Sequence, residues 1–311
     1  MGYINKPICS SLYANTGFGD CYFDPALIKG AIKVPSTFSI AEANVAALQT
    51  YLQDAAWDDS PASRIFPVHN FGALTDNTEA PTIQTKGYGA KKLVRDGYID
   101  WTFEYTMGGP VFNGELRKYN GGGSYWIFYD ENGALIGRND NGSLKGIPME
   151  IFYVPTWKPA DGSNAASYFI QFSFDPKYIN QQVGFLAADF DVSEVVGLQD
   201  VVLSVYNSAT NVHKIQAVTR ISGVNLYDAG FDTELAAAGQ WTATNDQTGA
   251  AFTITTVAAD AAGSGFTVTL DTTAWTALTT GDTVTINLDV PSALQTAGVP
   301  GYEGVEVQVT K

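Results

Sequence analysis

Alternation of apolar and polar positions dominates this chain and is clearest in its last third. Residues 252–257 (FTITTV), 265–270 (GFTVTL), 283–288 (TVTINL) and 303–310 (EGVEVQVT) each put every second side chain on one face. That period of two predicts strands with one face in a core and the other in water. The middle of the chain carries more strands. Residues 64–69 (RIFPVH) read as a short edge strand because Pro67 cannot donate to a ladder. Residues 98–107, 125–129, 134–137, 146–154 and 167–174 follow, with DENG at 130–133 and NDNG at 139–142 as hairpin turns. Residues 75–89 read as a polar, extended loop with a strand at 82–85, and 155–166 as a projecting loop.

One segment switches to a helical period. Ile40, Ala43, Ala47, Leu48, Tyr51 and Leu52 fall on one face, and Ser39 with Glu42 has the spacing of a capping box. The spacing predicts one α-helix over about 40–56, ended by Asp58, Asp59, Ser60 and Pro61. Residues 1–37 mix Gly, Pro, Asn and Ser with aromatics and read as an irregular arm. A helical patch is expected near 176–182, and the apolar run 195–206 reads as strand from Val201.

Composition divides the chain. Residues 216–311 hold two basic residues, Arg220 and Lys311, against ten acidic ones. The sequence therefore predicts a mainly β protein of two domains, 1–215 and 216–311, with Lys214 or Gln216 serving equally well as the boundary. The net charge of −15 excludes binding by broad neutralisation of phosphates. The one basic cluster, Lys86, Lys91, Lys92 and Arg95, is followed at once by acidic residues and reads as a subunit contact. Charged residues are only 16% of the chain, which suits either burial in an assembly or simply a β-rich protein. No run approaches the roughly 18–20 apolar residues of a membrane-spanning helix. The N-terminus lacks an apolar run of signal-peptide length, which points to synthesis and retention in a cytoplasm. Cys9 and Cys21 then read as free thiols.

Candidate chemistry is sparse. His69 and His213 are the available bases, yet neither adjoins a nucleophile elbow, and both read as structural. Gly121–Gly123 and Gly108-Gly109-Pro110 read as turns, not phosphate cradles. Asp189, Asp191 and Glu194 cluster, as do Asp58 and Asp59. Asp130, Glu131 and Asn132 share one turn, and Asp140 lies between Asn139 and Asn141. Turn chemistry accounts for these better than a glycosidase pair or a calcium loop. The aromatics Trp101, Tyr105, Trp126, Phe128, Phe172 and Phe174 read as core, whereas Trp157, flanked by prolines, is a candidate contact residue. No catalytic, cofactor or metal residue emerges.

One helix, a hairpin-rich domain with long loops and a Thr-rich terminal module together resemble bacteriophage tail tube (major tail) proteins. The stretches GFDTELAAAGQWTATNDQTGAAFTITT and LQTAGVPGYEGVEVQV resemble the immunoglobulin-like domains appended to phage structural proteins. The resemblance implies a β-sandwich or barrel-like tube domain with one helix, followed by an immunoglobulin-like β-sandwich that decorates the particle. It implies a virion protein made in a bacterial host cytoplasm, with no enzyme activity and no cofactor. Its partners would be itself, as hexameric rings stacked into a tube, other virion proteins, and DNA as passing cargo without specific binding. The 75–88 loop and the N-terminal arm would bridge stacked rings. A capsid, head-decoration or neck protein is the alternative, and a carbohydrate-binding surface protein a further one.

Overall fold

The computed structural model describes residues 2–3, 25–106, 108–163 and 165–311; Cys9, Cys21 and most of the expected N-terminal arm lie outside them. The chain is mainly β and divides into two compact units, Met1–Ala56 with Ser60–Val196, and Trp57–Asp59 with Gly197–Lys311.

In the first unit the strands are β1 (Gly2–Tyr3), β2 (Ile28–Val34), β3 (Phe66–Val68), β4 (Phe71–Asp76), β5 (Thr82–Thr85), β6 (Lys91–Arg95), β7 (Ile99–Tyr105), β8 (Tyr125–Asp130), β9 (Ala134–Asp140), β10 (Ser143–Lys145), β11 (Ile147–Pro148), β12 (Ile151–Tyr153), β13 (Tyr168–Phe174) and β14 (Val183–Ala187). One sheet runs β1-β14-β9-β8-β2-β3, with β10 beside β9 and β11 beside β8. The other runs β12-β13-β7-β4. Their inner faces share one core, in which Trp126 stacks on Phe152 at 4.7 Å and Phe172 meets Phe128 edge-to-face at 5.1 Å. The aromatic strands of the middle region therefore pack inward, as their alternation requires.

Three expectations are corrected here. The arm does not remain irregular to residue 37, because β2 is an interior strand paired with β3 and β8. Its Gly30 hides the alternation, and the glycine is needed there: a Cβ would lie 2.4 Å from the Tyr129 ring. The expected helix is a 3-10 turn over Glu42–Ala47 followed by α1 (Leu48–Ala56), and no Ser39–Glu42 capping box forms. Ile40 is instead held in a β-bridge, exchanging two 2.8 Å backbone hydrogen bonds with Leu144. Nor is that helix alone. Gly108, at φ +96°, turns the chain into α2 (Gly109–Arg117), whose only buried residues are Asn113 and Leu116. A buried face that narrow leaves almost no periodic signal.

The expected strand at 146–154 is two strands in different sheets: β11 pairs with β8 and β12 with β13. α3 (Lys177–Asn180) occupies the helical patch.

The second unit comprises β15 (Gln199–Ala209), β16 (Val212–Thr219), β17 (Trp241–Asn245), β18 (Ile254–Asp260), β19 (Gly265–Leu270), α4 (Thr272–Ala277), β20 (Thr283–Leu288), α5 (Pro291–Thr296), β21 (Tyr302–Val305) and β22 (Val307–Thr310). Sheets β18-β19-β16-β15-β21 and β17-β20-β22 enclose a core that includes Leu203, Ile215, Phe266, Trp241 and Ile286. The boundary expected at 215/216 cuts through β16 and is corrected to Val196/Gly197. The charge asymmetry misplaced it: β16 carries Lys214, which put the hairpin on the basic side, but the apolar faces of β15 and β16, Val201, Leu203, Ile215 and Ala217, belong to the second core. Trp57–Asp59 also belong to that unit, and Asp59 accepts the backbone N–H and hydroxyl of Ser292 (2.9 and 2.7 Å) in the first turn of α5.

Candidate functional site

β4 and β7 form a ladder whose two strands continue outward as β5 and β6. Phe71 pairs with Tyr105 at the root, and Thr102 and Trp101 lie opposite Thr75 and Asp76. Beyond the sheet, Asn77 N–H donates to Asp100 O (2.8 Å) and Glu79 N–H to Tyr98 O (3.0 Å). The pairing then resumes as Thr82–Arg95, Ile83–Leu93 and Thr85–Lys91. Every residue from 73 to 96 is exposed. Roughly 45 Å of ribbon therefore separates Phe71 from Thr85 at strand rise.

The end of the ribbon is unusual in three ways. Ile83, Leu93 and Val94 expose more than half of their surface. Tyr88 stands fully clear of the chain at φ +65°, between Gly87 and Gly89. That left-handed conformation is uncommon for a bulky side chain and marks a position to explain. Lys86, Lys91 and Lys92 have no ion-pair partner among the described residues, while Arg95 has only an exposed contact with Glu79 at 3.4 Å.

At the root lies a cleft of about 480 Å³ whose lining includes Lys29, Gly72, Tyr129, Glu131, Asp191 and Ser193. Behind it, His69 Nε2–H donates to Val195 O at 2.8 Å, so Nδ1 accepts from the Tyr129 hydroxyl at 2.6 Å. Burial pushes the His69 pKa down and the Tyr129 pKa up, so both stay neutral. The Asp191 carboxylate accepts from Ser193 N–H (2.9 Å) and Oγ–H (2.7 Å), which holds its pKa below the usual carboxylate range. Asp191 and Glu131 are exposed and charged.

The remaining sequence candidates are engaged structurally. The one hydroxyl that His69 accepts from is that of Tyr129, which burial keeps neutral, and its other ring nitrogen is held by a backbone carbonyl. His213 is fully buried against Trp275, with Nδ1 2.8 Å from Ser208 Oγ. Its Nε2 has no partner and so no orienting carboxylate, and burial lowers its pKa to about 4. Asp130 is occupied by the N–H groups of Ala26, Asn132 and Ala134 at 2.8–3.1 Å. Glu194 accepts from Gln49, and Asp140 pairs with Lys145 at 2.8 Å. No group of three His, Cys, Asp or Glu that could hold a metal occurs among the described residues. Trp157 stacks on Tyr168 at 6.3 Å and is half-buried, so it is not a free aromatic platform. Gly121 pairs with Phe152, and a Cβ on Gly122 would meet Glu150 O, so this turn is sheet structure.

Sequence reading isolated the basic cluster and the 82–85 strand but not the cleft. Its parts come from residue 29, 70–72, 106, 129–131 and 191–193, and no local pattern joins them.

No protein-family model matches the chain, and no curated protein does. Among solved structures, the adhesin domain of Epf from Streptococcus pyogenes aligns with 75% of this chain and 83% of that one. The identity is 9% and the TM-score 0.19, too loose a superposition to inform fold or function.

Proposed function

We propose that this chain is a virion structural protein of the tail-tube kind, whose copies join into rings and stack around a channel for DNA. The observation that carries this reading is the ribbon over 73–96, exposed along its whole length. An isolated two-stranded hairpin is marginal in water, and this one also exposes Ile83, Leu93, Val94 and Tyr88. Such an element is completed by a partner, and in an assembly every copy supplies one. Four of the chain's 17 basic residues sit on this hairpin while the whole carries −15, so the ribbon of one copy complements the surface of the next. An acidic channel wall repels a polyanion and lets it slide. The rest of the first unit supplies a rigid aromatic sandwich, and the second unit decorates the particle.

Size-exclusion chromatography with negative-stain imaging of the purified protein tests the reading. Rings or tubes with a central channel are expected. A monomer at all concentrations overturns it, and closed shells or single collars redirect it to a capsid, head-decoration or neck protein.

A further inference from the structure

We propose that the ribbon tip of one copy seats in the root cleft of a second copy, with the Tyr88 ring entering the cleft and Lys91 and Lys92, on opposite faces of β6, flanking it so that each meets one of the carboxylates of Glu131 and Asp191. This inference rests on the self-assembly reading above and names both halves of the contact.

The tip is shaped as an anchor. Lys86 N–H donates to Ala90 O at 2.7 Å, closing a loop in which Gly87 and Gly89 flank Tyr88. The closure and the left-handed backbone hold the ring away from its own chain. Tyrosine brings a large apolar area and a polar tip at low entropic cost, which is why it is enriched where interfaces concentrate their energy. The neighbouring lysines are unpaired among the described residues and need counter-charge when desolvated.

The cleft supplies what the tip lacks. Its volume of about 480 Å³ admits an aromatic ring. The neutral His69–Tyr129 pair behind it imposes no buried charge on an entering ring. Its acidic residues, Glu131, Asp191 and the buried, hydrogen-bonded Asp130, outnumber its one base, Lys29, leaving the lining net negative toward an ammonium. The Ser193 hydrogen bonds keep Asp191 ionised and fixed in orientation.

Geometry makes the contact intermolecular. Cleft and tip lie at opposite ends of one extended ribbon, and Tyr88 is fully exposed in its own copy. A tip-to-root contact therefore joins two different surfaces of identical chains. Such heterologous contacts propagate into a ring if the rotation closes and into a filament if it does not.

Charge exchange tests this on the full-length protein, read as the concentration at which light scattering reports assembly. Tyr88→Ala and Lys91→Glu/Lys92→Glu are each expected to raise that concentration at least tenfold, and Tyr88→Phe to leave it near wild type. These variants lie on an exposed tip, so an unchanged urea midpoint separates lost docking from lost folding. Glu131→Lys/Asp191→Lys should impair assembly alone and restore it when combined with Lys91→Glu/Lys92→Glu. If shortening the ribbon across 80–96 abolishes assembly but the charge exchange restores nothing, self-assembly stands and this docking is wrong. If wild type never assembles, both fall.

Discussion

Gly97 lies directly against Glu79: a Cβ on Gly97 would sit 1.8 Å from the Glu79 carbonyl oxygen. Glu79 N–H also donates to Tyr98 O at 3.0 Å, so the two strands cross at the point where the ribbon leaves its sheet. Gly97 is buried although the ribbon beyond it is exposed. Replacing it by alanine must push the strands apart. Gly97→Ala is expected to cost about 1–3 kcal/mol locally, the usual scale for forced backbone displacement. Amide hydrogen exchange should show lost protection at Asn77 and Glu79 with the aromatic core unaffected. Equal loss across β8 and β13 would mean that the crossing supports the whole unit.

His213 makes the second unit sensitive to acid. Its native pKa is about 4, against about 6.5 in an unfolded chain. The native state therefore binds fewer protons, and stability is fully present above pH 6.5 and falls as pH drops from there through 4. The total loss is about 3 kcal/mol, from roughly 1.4 kcal/mol for each pH unit of the shift. The cause is visible in the packing: the imidazole is buried beside Trp275, and its Nε2 has no acceptor for a second proton. Urea unfolding followed by tryptophan fluorescence should show a lower midpoint at pH 4.5 than at pH 7.5 for the transition that reports Trp241 and Trp275. His213→Leu should flatten this dependence. An unchanged slope would place the acid sensitivity elsewhere.

The boundary at Val196/Gly197 changes how the first unit, which carries the proposed assembly, is isolated. Removing residues from 223 onward would leave the β15–β16 hairpin with Val201, Leu203, Ile215 and Ala217 stripped of their core, and that protein is expected to aggregate. Removing 197–311 takes the whole second core. Trp57 then loses its packing beside Gly301, so the deletion is best combined with Trp57→Gln. This shorter protein should stay soluble and form the same particles as the full chain. Particles lost on this deletion, with folding intact by circular dichroism, would show that the second unit takes part in assembly.

How much could be read from the sequence depended on whether its signal was local. The alternating strands β13, β19 and β20 were legible because one side of each is buried, and period two expresses that directly. α2 was not: it buries only Asn113 and Leu116, and its Gly and Pro read as a turn. Ser39 and Glu42 had the right spacing for a cap, yet the Ile40–Leu144 bridge captured the backbone first, a long-range contact overriding a local preference. The basic hairpin was visible as a charge cluster. The cleft was not, because it exists only once five distant segments meet. The histidines read as structural from their isolation; in the fold His213 is fully buried and His69 is half-buried with both ring nitrogens hydrogen-bonded.

Phe172 is where the first unit should be most vulnerable. Its ring centroid lies 5.1 Å from those of Trp126 and Phe128, both at 78°, and 5.5–6.2 Å from Phe152, Phe103 and Phe71. It is fully buried on β13, between β12 and β7, so its neighbours come from both sheets. Edge-to-face pairs add about 0.5–1.5 kcal/mol each beyond the area they bury. Five rings converging on one residue leave little room for collapse if it is removed. Phe172→Ala is expected to cost about 3–5 kcal/mol, near the upper range for such truncations, while Phe172→Leu, which keeps most of the volume, should cost much less. The urea midpoint of the first unit's transition measures both. Because the ribbon grows out of β4 and β7 in this same sheet, Phe172→Ala should also lower particle yield in proportion to the unfolded fraction. A yield unchanged at a clearly lowered midpoint would mean that assembly restores the fold it draws on.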